Sequence, residues 1–121
     1  MPADRTSQPD CLFCRIVRGE LPSKTIVEDD LVVAFHDIAP RSPTHVLIVS
    51  KVHIPSAADL TEEDGPLLGR MFVTAASIAR DQGIADAGYR IVTNVGRWGG
   101  QTVDHLHLHL MGGRAFDWPP G

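Results

Sequence analysis

Between His105 and Leu110, inside the stretch Val103–Met111, apolar and polar positions alternate without a break, which is the period of a strand. Leu106, Leu108 and Leu110 fall on one face; His105, His107 and His109 fall on the other. Four earlier stretches also read as strands. Thr25–Glu28 and Leu31–His36 flank an Asp29-Asp30 turn and form a hairpin. His45–Ser50 is almost wholly apolar, as a central strand should be. Tyr89–Val95 alternates, and a short connection to the histidine strand makes the two antiparallel neighbours. The period lengthens between about Asp64 and Gln82, where Leu67, Met71, Ala75 and Ile78 line one helical face with Leu68, Phe72 and Ala79 beside it. Asp64 is a candidate N-cap, Pro66 suits the first turn, and Gly83 suits the left-handed position that ends a helix. Phe13 and Ile16 predict a short helix ending near Gly19. The expected fold is α+β: a five-stranded, mostly antiparallel meander with one long helix and a short N-terminal helix. Met1–Asp10 has no apolar periodicity and predicts a frayed, disordered tail (1–10), leaving 11–121 as a single domain.

Composition narrows the function classes. The net charge is −4 with neutral histidines and no basic patch is visible, so a nucleic-acid backbone is not an expected partner. A single nucleotide needs no basic surface, because backbone N–H groups and a few side chains can hold it. No apolar run reaches membrane-spanning length and no secretory leader is present, so no membrane partner is expected and the default location is cytoplasmic.

The candidate chemistry is imidazole and thiol. Three of the six histidines stand in the one row. Alternate strand residues lie about 6.6–7 Å apart at the backbone, so neighbouring imidazoles can share one small group. A single metal using all three is awkward, and the row should divide between jobs. The glycine turn just before the row can aim N–H groups at an anion, and an imidazole beside it is placed to meet a phosphorus centre as base or nucleophile. Cys11-Leu12-Phe13-Cys14 can be half a zinc site, a redox pair or two small buried hydrophobes. Zinc needs two further ligands, for which His53 and His105 are candidates. His45 reads as a histidine hydrogen-bonded within the sheet.

His105-Leu-His-Leu-His-Leu-Met111 after Gly99-Gly-Gln-Thr102 resembles the signature of the histidine triad family of nucleotide hydrolases and transferases. The resemblance runs from about Cys11 onward, through Phe35-His36-Asp37, Pro43-Thr44-His45, Asn94 and the closing Trp118-Pro-Pro-Gly121, and is nearest the purine nucleoside phosphoramidase branch. It implies a fold of that kind, a homodimer, and a purine nucleotide substrate. It implies that Leu12, Phe13 and Ile16 wall the base, that Asp37 accepts from the ribose hydroxyls, and that Phe35, His36 and Ile38 line the base and sugar pocket. Asn94, Gly100, Gln101 and Thr102 are implied phosphate contacts. His107 is the implied nucleophile, and His109 the implied phosphate contact and aid to the leaving group. Cys11, Cys14, His53 and His105 match the positions of a structural Zn²⁺ that some members carry, which takes no part in the chemical step. Trp118 is implied to bear on the dimer and on leaving-group choice. The leading expectation is hydrolysis of the P–N bond of purine nucleoside 5'-phosphoramidates. The alternatives are a dinucleoside polyphosphate hydrolase, a nucleotide-binding adaptor with little turnover, and a metal hydrolase built on the paired histidines.

Overall fold

A computed structural model describes residues 5–121 of the 121-residue chain. The element order is α1 (Leu12–Val17), β1 (Thr25–Glu28), β2 (Val32–His36), β3 (Thr44–Ser50), two short 3-10 turns (Ala57–Asp59 and Glu62–Asp64), α2 (Gly65–Asp81), β4 (Tyr89–Val92) and β5 (His107–Gly112). The five strands form one sheet in the order β1-β2-β3-β5-β4, with every neighbouring pair antiparallel.

This order departs from the expected meander. The connection from β4 to β5 is not short: it runs 93–106, and β5 inserts between β3 and β4. The histidine strand is also shorter than its alternation implies. Ladder pairing begins at His107, and His105 lies in the approach to it, although Leu106 still exchanges bonds with its neighbours: Ser50 N–H donates to its carbonyl and its own N–H donates to Ile54 O. Alternation persists through 105–106, so side-chain facing follows the pattern further than the ladder does.

Both faces of the sheet are covered, which is why β2 and β3 read as nearly continuous apolar runs. On one face Val32, Ala34, Val46, Ile48, Leu106, Leu108 and Leu110 pack under Leu67, Met71, Ala75, Ile78 and Ala79 of α2. On the other, Val33, Phe35, Leu47 and Val49 pack under Phe13 of α1. The leucines of the alternating row are thus core, and its histidines share the α1 face. The stripe of α2 is narrower than expected: Phe72 is half exposed, and Thr74 is buried instead. Gly83 takes the left-handed conformation that closes the helix (φ +74°).

Asp64 does not cap α2 with its side chain. It closes a capping box with Thr61 and pairs with Arg5 at 2.6 and 2.8 Å. Arg5 O also accepts from His53 N–H, and Gln8 N–H points at the Cys14 sulfur. Residues 5–10 therefore make contacts that the tail expectation did not include; residues 1–4 lie outside the described residues. The Arg5 guanidinium first, then the Thr61 amide, hold the Asp64 carboxyl down to about 2. A carboxylate depressed in the folded state stabilises the fold above its unfolded value, and the gain disappears as pH falls toward 2. That gain is about 1–2 kcal/mol. Arg5→Ala should remove most of it and raise the midpoint of acid unfolding, followed by circular dichroism between pH 5 and 2.

Candidate active site

The α1 face of β3 and β5 carries the site. Register places Val49 opposite His107, Leu47 opposite His109 and His45 opposite Met111, so His45, His107 and His109 share that face. His107 and His109 lie at the floor of a 370 Å³ cavity whose walls include Leu12, Phe13 and Ile16 from α1 and Phe35, His36, Asp37 and Ile38 from β2 and its exit. Thr102 closes the side next to the histidines. The Phe13 ring stands edge-on to Phe35, His105 and His107, with centroids 5.8, 5.9 and 4.9 Å away. The cavity lining is mostly apolar, with His36, Asp37, Thr102, His107 and His109 as its polar groups, a mixture that suits a base-and-phosphate ligand.

Hydrogen bonds fix which nitrogen of each imidazole carries the proton. His107 Nδ1 lies 2.6 Å from His105 O. A carbonyl only accepts, so Nδ1 carries the hydrogen and Nε2 keeps its lone pair. His109 is set by a longer chain. Arg41 N–H donates to His45 Nδ1 at 3.0 Å, which leaves the His45 hydrogen on Nε2. That nitrogen lies 2.9 Å from His109 Nδ1 and 3.4 Å from an Asp37 oxygen. His109 Nδ1 then accepts, and Nε2 carries its hydrogen. The neighbouring rings, 5.0 Å apart, are thus of opposite kind, one a free lone pair and one a donor. Burial lowers the pKa of His107 and of His45, and takes His109 down to about 4 with help from His107 and His45. All three rings are neutral near pH 7, the state in which these roles hold.

The HIT domain family model matches residues 18–116. The chain belongs to the HIT family. It is 49% identical over 105 residues to the purine nucleoside phosphoramidase of Escherichia coli (strain K12), covering 87% of this chain and 88% of that protein. A HIT family hydrolase from Legionella pneumophila Philadelphia 1 superposes with a TM-score of 0.91 at 46% identity, covering 93% of this chain and all of that one. A histidine triad protein from Clostridium difficile gives 0.87 at 38% identity, over 91% of this chain and 96% of its own.

This HIT chain also gathers Cys11, Cys14, His53 and His105 into one cluster that could hold a metal ion, all four donor atoms within 4.8 Å of one another. His105 Nδ1 lies 3.2 Å from Cys11 Sγ, 3.5 Å from Cys14 Sγ and 3.2 Å from His53 Nδ1. Cys14 Sγ lies 3.2 Å from that same His53 nitrogen. The edges of a tetrahedron of zinc-bound N and S donors are about 3.3–3.8 Å, so little movement would admit the ion. His105 Nε2 lies 2.6 Å from Ser50 O, which puts the hydrogen there and the lone pair at Nδ1, the arrangement a metal-bound imidazole needs. Both cysteines are free thiols, and burial pushes the Cys11 thiol up, so a cation would be needed to hold it as thiolate. The cluster joins α1 to the segment that leaves β3 and the one that enters β5.

A second group, Asp37, His45 and His109, also converges closely enough for a metal. Its surroundings are wrong for one. A metal on His45 Nε2 would require the hydrogen on Nδ1, where Arg41 N–H already points. That contact favours a proton chain over the metal-hydrolase reading of this face.

The remaining implied contacts hold the glycine turn together. Asn94 Nδ2 donates to Gly99 O at 2.6 Å. Gln101 Oε1 accepts from Gly96 N–H, and its Nε2 donates to Pro55 O and Val103 O. Gly100 takes φ +82°, and a Cβ on Gly99 would drive into the Val95 carbonyl, so both glycines are required by the turn. None of Asn94, Gly100 and Gln101 lines the cavity with His107. Trp118 is 83% exposed and lines a different hollow with Arg90 and Asn94. The residue that sequence reasoning missed is His45. Its one signal was its place on β3, whose alternation puts it on the same face as the triad once β3 and β5 are known to pair.

Proposed function

We propose that this HIT protein hydrolyses the P–N bond of purine nucleoside 5'-phosphoramidates, giving the nucleoside monophosphate and the amine through a nucleotidyl-histidine. The observation that carries this reading is the lone pair of His107 Nε2 beside the N–H of His109, in a mostly apolar cavity of 370 Å³. The similarity to a purine nucleoside phosphoramidase supports it.

The lone pair attacks the α-phosphorus as the P–N bond breaks. The bond's electron pair leaves with the amine nitrogen, which takes the Nε2 proton of His109, and His109 recovers a proton from the water that attacks in the second step; the same N–H is suited to the phosphoryl oxygens. His105 O steadies the charge that grows on His107 through its short bond to Nδ1–H. Water then attacks the same phosphorus and frees the histidine. Asp37, on the cavity wall, is suited to accept from the ribose hydroxyls. Leu12, Phe13 and Ile16 exclude water from the base.

We assign a structural Zn²⁺ to Cys11, Cys14, His53 and His105, where it would tie α1 to the sheet and supply no chemistry to the reaction. Thiolate ligands favour a reducing compartment, which supports a cytoplasmic setting; among the described residues no helix is long and apolar enough to cross a membrane. Residues 11–121 form one domain in this reading. Phe72 and Val73, exposed on the outer face of α2, support a homodimer in which Trp118 bears on the leaving group.

The test is to mix the protein with an adenosine 5'-phosphoramidate and, separately, with a diadenosine polyphosphate, quench in acid, and look for AMP on His107 by mass spectrometry. The expected result is faster release of AMP from the phosphoramidate, with the adduct on His107. Faster cleavage of the polyphosphate would favour the alternative substrate class, and binding without turnover would favour an adaptor.

A further inference from the structure

The donor on His109 depends on a loop that no strand ladder holds. Arg41 lies in the exposed connection between β2 and β3, and its N–H, 3.0 Å from His45 Nδ1, is the closer of two contacts that place the His45 hydrogen on Nε2, the other being the Asp37 carboxylate at 3.4 Å. Two features of the segment after β5 fasten that connection. Gly113, with φ +89°, packs so closely that a Cβ there would stand 2.7 Å from the Pro43 ring. Arg114 then sends two guanidinium nitrogens to Arg41 O, Nε at 3.3 Å and an Nη at 3.1 Å. The guanidinium carbon itself lies over the Phe116 ring, 4.2 Å from its centroid, with that of Arg90 5.0 Å from the same centroid. Arg90 also donates to Asp117 O.

We propose that Arg114 is a positioning residue for the reaction, which by holding the Arg41 carbonyl keeps Arg41 N–H on His45 and so keeps an N–H of His109 facing the phosphoryl group. The carbonyl and N–H of Arg41 flank one Cα, so restraining one limits the other. If the Arg41 N–H swings away, His45 is free to carry its hydrogen on Nδ1. His109 would then donate from Nδ1 to His45, and its Nε2 would turn a lone pair toward the phosphate. A lone pair there repels the oxygens and has no proton for the amine. Of the other groups facing His45, Asp37 favours the same arrangement but only weakly at 3.4 Å, and Lys24 lines one hollow with it. Arg114 touches neither histidine, so it acts through Arg41 and not on the substrate.

The inference rests on the proposed function, and the experiment separates the two. Turnover of the full chain is compared for the parent, Arg114→Ala and Arg114→Lys on two AMP derivatives. One is an alkylamine phosphoramidate, whose nitrogen needs a proton to leave. The other is a p-nitrophenyl ester, whose phenolate leaves without one. Arg114→Ala should lose about 10- to 100-fold in kcat on the amide and much less on the ester. Arg114→Lys, which still offers a donor to the carbonyl, should recover most of the loss. In the ligand-free protein, imidazole nitrogen NMR should show His45 and His109 as Nε2–H in the parent and a changed pattern in Arg114→Ala. Equal losses on the two substrates, an unchanged rate, or unchanged tautomers in Arg114→Ala would overturn the proposal. If the parent fails to cleave the amide, the proposed function falls, while the NMR comparison still tests the positioning role.

Discussion

His107→Ala is expected to abolish turnover of an adenosine phosphoramidate, lowering kcat by about 10⁴-fold or more. The size follows from what no neighbour can replace. His109 stands beside it, but its His45 contact assigns it an N–H where attack requires a lone pair. His105 turns its own lone pair toward the cysteines and its hydrogen toward Ser50 O. His45 is committed on both nitrogens. Among His45, His105, His107 and His109, only His107 thus keeps a free lone pair in the cavity to form a bond to phosphorus. The fold should survive, because Leu106, Leu108 and Leu110 on the opposite face hold β5 without that ring. A thermal melt within a few degrees of the parent, beside the loss of rate, is the expected pair of observations. His109→Ala should cost less, about 10²- to 10⁴-fold, and should leave the adduct able to form. An alanine variant at 107 with near-parental kcat would end the covalent reading.

Loss of metal should have the second largest effect, this time on stability. Cys14→Ser, or exhaustive treatment with a strong chelator, is expected to lower stability by about 3–5 kcal/mol, or about 10–20 °C in melting temperature. This is far less than the whole binding energy of a structural zinc, because the core between α2 and the sheet does not depend on the cluster. Two consequences follow together. Cys14, His53 and His105 are buried, so without a cation their donors are left crowded on one another. And α1, only six residues long, keeps only its apolar packing on the sheet, so the wall made by Leu12, Phe13 and Ile16 loosens and nucleotide affinity falls with the melting point. Metal content by atomic absorption, melting temperature and AMP binding by calorimetry, before and after chelation, check this. A chain purified without zinc that melts unchanged on chelation would refute the assignment.

Much of the site was legible because it is written in strand alternation. A period of two assigns each residue to a face whatever the neighbouring strands do, so the leucine core and the histidine row could be read from residues 105–110 alone. The donor set at Cys11, Cys14, His53 and His105 was readable in part from ligand arithmetic. What alternation does not carry is which strands pair. The meander expectation failed because a tight turn after Tyr89–Val95 is as compatible with the pattern as the long excursion through 93–106. His45 was read as a sheet histidine for the same reason, since its partner His109 is 64 residues away and meets it only through the β3–β5 pairing. Asp64 stands at the N-cap position of α2 as the sequence suggests, but its side chain turns to Thr61 and Arg5, and Arg5 stands in a stretch with no periodicity to announce it.

The Phe13 ring, wedged against both His105 and His107, has a consequence for how base preference can drift among such enzymes. A change there disturbs the cysteine cluster and the nucleophile in one stroke, so selection should leave that position nearly immobile. Leu12 and Ile16 meet the same cavity from the same helix without touching either imidazole through a ring contact. Adenine-to-guanine switching, whether by evolution or by directed libraries, should therefore be won at those two sites while Phe13 stays put.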